Sequence, residues 1–159
     1  MNKSIAKYGI PAQALAVLTT LGCEGTDPMV GDWTCTFFAY NGSTSECPST
    51  VTSNEGGYTY EAYYAIQMSV REDGGGTFTD IVELKVDGVV DDDYSYTTDY
   101  PLTGTAKSTG VWDISVPGFY GLIMECTATA SDMTCYGTDS DDYAWEFNFA
   151  PLGGGDVIL

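Results

Sequence analysis

Ala62-Tyr63-Tyr64-Ala65-Ile66-Gln67-Met68-Ser69-Val70-Arg71 and, after Glu72-Asp73-Gly74-Gly75-Gly76, Thr77-Phe78-Thr79-Asp80-Ile81-Val82-Glu83-Leu84-Lys85-Val86-Asp87 decide how this chain reads. In the first run Tyr64, Ile66, Met68 and Val70 alternate with Tyr63, Gln67, Ser69 and Arg71. In the second, Val82, Leu84 and Val86 alternate with Ile81, Glu83 and Lys85. Successive side chains of an extended strand point to opposite faces, so a period of two sorts each run into a dry and a wet side. The glycine triplet tolerates the positive φ of a tight reversal. Two consecutive antiparallel strands are expected.

The same rhythm spreads both ways along the chain. Val30 to Tyr40 places Trp33, Cys35, Phe37 and Ala39 on one face, and Ser43 to Gly57, rich in Ser, Thr, Glu, Pro and Gly, reads as a surface loop. Tyr94 to Tyr100 alternates, Pro101 interrupts, and Leu102 to Lys107 follows as a short separate strand. Val111 to Val116, Leu122 to Ala128, Met133 to Gly137 and Tyr143 to Phe149 complete the series, and no segment after residue 22 has helical periodicity. The expectation is an all-β fold, an antiparallel up-and-down meander barrel of about eight to nine strands, with a β-sandwich as the alternative. Closing the barrel removes the edges that invite aggregation.

The chain has 159 residues, 43% of them hydrophobic, with 12 tyrosines and 3 tryptophans, which argues for one folded core and against disorder. It carries 23 acids against 5 bases, a net charge of −18, and no histidine. Such a surface repels phosphates and anionic headgroups, which excludes nucleic acid as a partner and favours a monomer.

Residues 1–22 hold Lys3 and Lys7, no acid, an apolar run from Ile10 through Leu21 and a small-residue end. That is the layout of a secretory signal peptide. The run falls short of the roughly 20 residues that span a bilayer. Leu18-Thr19-Thr20-Leu21-Gly22-Cys23 resembles the processing site of bacterial lipoprotein precursors. The resemblance implies cleavage before Cys23, lipidation of its sulfur, and anchoring to the cell envelope, with the outer membrane or cell surface favoured. A cleaved signal that leaves Cys23 free is the alternative. Residues 23–29 then form a tether, 30–150 the barrel and 151–159 a glycine-rich tail.

Besides Cys23 there are four cysteines, and each neighbouring pair brackets a turn: Asn41-Gly42 between Cys35 and Cys47, Ala130-Ser131-Asp132 between Cys126 and Cys135. Four cysteines permit three connectivities. The local one, Cys35–Cys47 with Cys126–Cys135, is expected in an oxidising compartment.

Gly31-Asp32-Trp33, opening the first strand ahead of a meander, resembles the G-x-W signature of the lipocalins and of lipocalin-like lipoproteins. The family's later arginine, which packs on that tryptophan, has no counterpart, because no Arg or Lys follows Lys107. The resemblance implies a barrel that holds a small apolar ligand. On that reading Trp33, Tyr64, Trp112, Trp145 and Phe147 are the candidate ligand-binding residues, set on the inner faces where they either line a cavity or fill the core.

Catalysis has little to draw on. Without histidine, serine–histidine and cysteine–histidine pairs cannot form. A carboxylate pair would suffice for a hydrolase, but Asp32, Asp80, Glu83, Asp113, Glu125 and Glu146 each read as solvent-side or turn residues. Asp91, Asp92, Asp93, Asp139 and Asp141 form the densest acidic clusters and are weak calcium candidates, more simply read as solvated turns; they lack the EF-hand glycine and distant glutamate. No pattern calls for a cofactor. Tyr58, Tyr60, Tyr63, Tyr94, Tyr96 and Tyr100 suggest an outer aromatic strip for a surface protein or glycan. The leading expectation is a lipid-anchored binding module. A structural or adhesive surface protein with a solid core comes second, and a carboxylate hydrolase third.

Expressed in a bacterial host with its own leader, the chain is expected to lose residues 1–22 and to gain acyl mass on Cys23. Intact-mass measurement of membrane-extracted protein reads this directly. A soluble product with unmodified Cys23 would refute it.

Overall fold

Asn41-Gly42, Gly56-Gly57 and Asp87-Gly88 all hold positive φ at both positions, between 46° and 87°. Each joins two strands through a two-residue loop, the geometry whose twist matches a β-ribbon. In the computed structural model, which describes residues 26–153, these turns link β1 (Gly31–Tyr40) to β2 (Ser43–Glu46), β3 (Ser49–Glu55) to β4 (Tyr58–Val70), and β5 (Gly75–Val86) to β6 (Val89–Val90). The remaining strands are β7 (Tyr96–Ser108), β8 (Val111–Val116), β9 (Leu122–Ala128), β10 (Met133–Thr138) and β11 (Ala144–Pro151). The expected leader, Cys23 and the tail from residue 154 lie outside the described residues.

Eight strands form a closed antiparallel barrel in the order β1-β11-β10-β9-β8-β7-β5-β4 and back to β1. The closing seam is short: Gly31, Asp32, Trp33 and Thr34 pair with Val70, Ser69, Met68 and Gln67. Beyond it β1 and β4 part, and each takes a private partner, β2 on β1 and β3 on β4. The barrel therefore replaces the sandwich alternative, and its wall splits at one end into a mouth.

The interior is solid. Cross-strand partners share a face, so the pairing of Trp112 with Cys126, Cys126 with Cys135 and Cys135 with Phe147 makes one continuous inner row. Phe78, Phe147, Phe149, Met68, Ile114, Leu122 and Met124 are fully buried around it. Ring pairs such as Phe78–Phe147 (5.8 Å, edge-on) and Phe147–Phe149 (5.8 Å, stacked) fill the centre. At Gly74 (φ 80°) the β4–β5 turn crosses the backbone of β7: an added Cβ would stand 2.4 Å from the Gly104 carbonyl oxygen, so only glycine fits.

Several expectations need correction. Ser43 to Gly57 is not a loop but β2 and β3, almost wholly exposed. The tight turns on either side fold it back on β1 and β4, and backbone pairing holds it where burial does not. Pro101 does not end a strand but sits inside β7; β8 pairs with β7 only from Thr103 onward, so one edge is free at the proline and the missing N–H costs no ladder bond there. A bulge between Cys35 and Phe37 reverses the face of β1: beyond it the inward residues are Phe38 and Tyr40, paired with Phe147 and Trp145, and not Phe37 and Ala39.

Residues 27–29, within the expected 23–29 tether, and Val30, expected to begin the barrel, form a turn packed beneath it. Met29 is fully buried, its carbonyl accepts from the Trp33 indole nitrogen at 3.1 Å, and the Asp27 carboxylate accepts from the Met29 and Gly110 amides. Burial alone would raise the Asp27 pKa, but those amides and the nearby Trp112 indole bring it below the ordinary value. Of the two expected disulfides, Cys126–Cys135 is formed between facing positions of β9 and β10. Cys35 and Cys47 meet as buried free thiols instead of a bond. The Cys35 thiol lies 3.3 Å from the Phe37 carbonyl oxygen, and its contact with Cys47, together with burial, pushes its pKa up.

Phe147 is the central ring, and Phe147→Ala is expected to cost about 3–5 kcal/mol, seen as a lower denaturant midpoint at unchanged slope. Reducing Cys126–Cys135 is expected to remove about 2–3 kcal/mol by freeing a short loop of the unfolded chain. A melting temperature unmoved by reductant would contradict it.

Candidate functional site

The hairpin turn between β8 and β9 carries Pro117-Gly118-Phe119-Tyr120-Gly121. Its backbone is tied by Phe119 N–H to Val116 C=O and Leu122 N–H to Phe119 C=O. This drives the Phe119 ring, only 5% exposed, across the barrel end against Phe78 (4.8 Å), Tyr100 (5.4 Å) and Trp145 (5.6 Å). Phe119 is a plug, with packed core below and the split mouth above.

Above the plug lies a cleft of about 360 Å³. One wall is the upper half of β3, β4, β5 and β7, contributing Ser49, Val51, Tyr64, Ile66, Asp80, Val82 and Tyr96. The other is Phe38 of β1, Ser45 and Cys47 of the β2 arm, Trp145 of β11, and Phe119 and Tyr120 of the plug turn. Trp145 is held rigidly: its indole N–H donates to Asp139 Oδ2 at 3.0 Å, and its ring lies 4.5 Å from Tyr40 and stacks at 5.5 Å on Phe147. Asp139 is itself buried at 8% exposure, and its other oxygen accepts from the Asp141 and Tyr143 amides at 3.0 Å. The Trp145 indole, despite the opposing effect of burial, and then these amides hold the Asp139 carboxyl below the usual carboxylate range.

Asp80 is the residue that the sequence reading placed on the wrong face. It pairs with Ile66 on one side and Thr98 on the other, in phase with Phe78 and Val82, and so points into the cleft. The parity signal was present, since Asp80 stands an even number of residues from Val82, Leu84 and Val86. One hydroxyl, Tyr96 Oη, donates to Asp80 Oδ2, at 3.5 Å. Burial pushes the Asp80 carboxyl up, with the Tyr96 hydroxyl opposing. The described cations are engaged elsewhere, Arg71 with Asp73, Lys85 with Glu61 and Glu83, and Lys107 with Asp113 and Glu125.

Of the five residues expected to bind ligand, Tyr64 and Trp145 line this cleft, and Phe147 lies directly beneath Trp145. Trp33 and Trp112 belong to the core at 3% and 5% exposure, at the opposite end near Met29 and Asp27. The supposed outer tyrosine strip divides. Tyr60, Tyr96 and Tyr100 face inward with Val86, Val82 and Phe78, while Tyr63 pairs with Glu83 on the outer face. The sequence reading passed over Phe119 and Tyr120, whose only signal is a pair of rings placed in a tight turn. Among the described residues no cluster of three or more acids or cysteines is arranged to hold a metal ion. Asp139 is occupied with its turn, and Asp91 accepts from the Asp93 amide at 3.1 Å.

A larger hollow of about 930 Å³ lies along the outer side of β4, β5 and β7, lined by Thr50, Gln67, Thr79, Thr97 and Asp99 around Tyr63. Its lining is divided evenly between polar and apolar surface, and its Lys85 is already paired with Glu61 and Glu83. The mouth cleft is the better site because it joins apolar rings to a single oriented acid. Comparison with protein-family models, with curated proteins and with solved structures finds no match for this chain.

Because its pKa is raised on folding, Asp80 binds its proton more tightly in the folded state. Its ionised form therefore costs stability above the folded pKa, and that cost disappears as pH falls below the unfolded value. Asp80→Asn is expected to raise the melting temperature at neutral pH, with the gain fading toward about pH 3. A neutral or negative shift at pH 7 would show that the carboxylate is well solvated.

Proposed function

We propose that the protein is a small-molecule binding module, carried at the cell envelope by lipid on Cys23, whose ligand sits in the mouth cleft and not in the barrel interior. A ring-lined hollow of about 360 Å³ above a solid, plugged core carries this reading. That volume falls in the range of ordinary ligand sites, at the small end. The lipocalin-like and lipoprotein resemblances of Gly31-Asp32-Trp33 and the Cys23 junction agree with an anchored carrier or receptor. Among the described residues one acid, Asp80, lines the cleft. A hydrolase would need a second, so the reading is a binder and not a catalyst.

The exposed face running out from the cleft favours a second reading, an adhesive surface protein. Val51, Tyr58, Tyr60, Tyr64, Leu84 and Tyr94 border hollows continuous with this wall, and Val51, Tyr58 and Tyr94 are 57%, 54% and 68% exposed. On that reading the same sheet extension presents rings and aliphatic groups to a partner protein.

Titration with a neutral apolar dye, read by quenching of tryptophan emission, separates the two. The dye is expected to bind the full chain with one-to-one stoichiometry, and Ser49→Trp, which fills the cleft from the exposed β3 arm, is expected to weaken it by about tenfold or more. Equal binding by Ser49→Trp, with melting unchanged, would place the dye elsewhere and favour the adhesive reading.

A further inference from the structure

We infer that the ligand of the mouth cleft is an organic ammonium ion, a compact aromatic or alkyl amine whose cation is seated on Asp80 and whose hydrocarbon part lies among the rings of Tyr64, Tyr96 and Trp145. This inference rests on the cleft reading above and adds the ligand's charge and class.

Three independent features carry it. First, Asp80 is a carboxylate turned inward without a counter-ion among the described residues. It stands one rung from Val82, whose cross-strand partners on either side are Tyr64 and Tyr96, so the acid is flanked diagonally by two tyrosines of the same face. Its one hydroxyl contact is long at 3.5 Å, and Arg71, Lys85 and Lys107 are committed to other acids. A partly desolvated anion that the described residues leave unpaired is complementary to a cation brought from outside. Second, the opposite wall is aromatic, with Trp145 fixed by Asp139 and Tyr120 stacked near it at 6.3 Å. Ring faces attract ammonium groups and reject anions. Third, the chain's 23 acids against 5 bases give a field that concentrates cations at such a cleft. A hard metal ion fits poorly, because it asks for six or more oxygens where one carboxylate is offered.

Calorimetry on the full chain with three probes that share the naphthyl ring and differ in charge tests this: naphthylmethylamine, naphthylmethanol and naphthoate. The amine is expected to bind about tenfold or more tighter than the alcohol at neutral pH, and naphthoate not measurably. That preference is expected to persist at about 0.5 M salt, where a diffuse surface field is screened. It is expected to collapse in Asp80→Asn and to fade as pH is lowered and Asp80 takes up a proton. Equal binding of amine and alcohol would overturn the ammonium assignment while leaving the cleft intact. A preference that survives Asp80→Asn, or that disappears with salt, would overturn it as well. If no probe binds, and the neutral dye also fails, the cleft reading falls with it.

Discussion

Four residue pairs hold the wall shut. Gly31 to Thr34 against Gln67 to Val70 is the one place where the first and the fourth strand touch, and it turns a curled sheet into a closed surface. Without it the edges of β1 and β4 would face solvent as pairing templates. The seam does not run the length of either strand. The bulge after Cys35 changes the direction of β1, and from there upward the two edges diverge and are covered separately by the β2 and β3 arms. A tight base and a split top follow from one short ladder and one extra residue.

The two ends are then sealed differently. Below, the Asp27–Val30 turn presses Met29 against Trp33 and spends the Asp27 carboxylate on backbone amides, while the buried Trp112 indole nitrogen nearby makes no hydrogen bond among the described residues. Above, the rings of Phe119 and Trp145 separate packed interior from open cleft. Electrostatics follow the same division. Lys85 and Lys107 pair with acids on the outer face, where exposed ion pairs contribute little. Inside the mouth Asp80 has a raised pKa and no such neighbour among the described residues.

Much of the wall was legible because burial on one face imposes a period of two, as in Ile66-Gln67-Met68-Ser69-Val70, and because Asn41-Gly42 fixes a turn by its dihedral preferences alone. What was not legible has two causes. The bulge at Cys35–Phe37 and the strand continuing through Pro101 are set by which neighbour a strand finds across the sheet, a non-local fact with no trace in local alternation. The β2 and β3 arms are local hairpin strands, but they are almost wholly exposed, so no buried face imposes alternation on them. The site divides the same way. Tyr64 and Trp145 were found by parity, and Asp80 was readable by the same rule but reads, like the other acids, as a solvent-side or turn residue. Phe119 and Tyr120 escaped because a turn has no period. The meeting of Cys35 with Cys47 was legible as proximity, while their state as thiols was not.

The plug has a further implication for how such a chain changes over generations. Because Phe119 keeps the core rings apart from the mouth, substitutions at Ser45, Ser49, Val51 or Tyr120 alter what a visitor meets without reaching Phe147 or Phe149. Scaffold and selectivity are thereby uncoupled. A lineage built on this wall is free to exchange one guest for another by drift in a handful of rim positions, and its descendants would keep the barrel while sharing little of the rim.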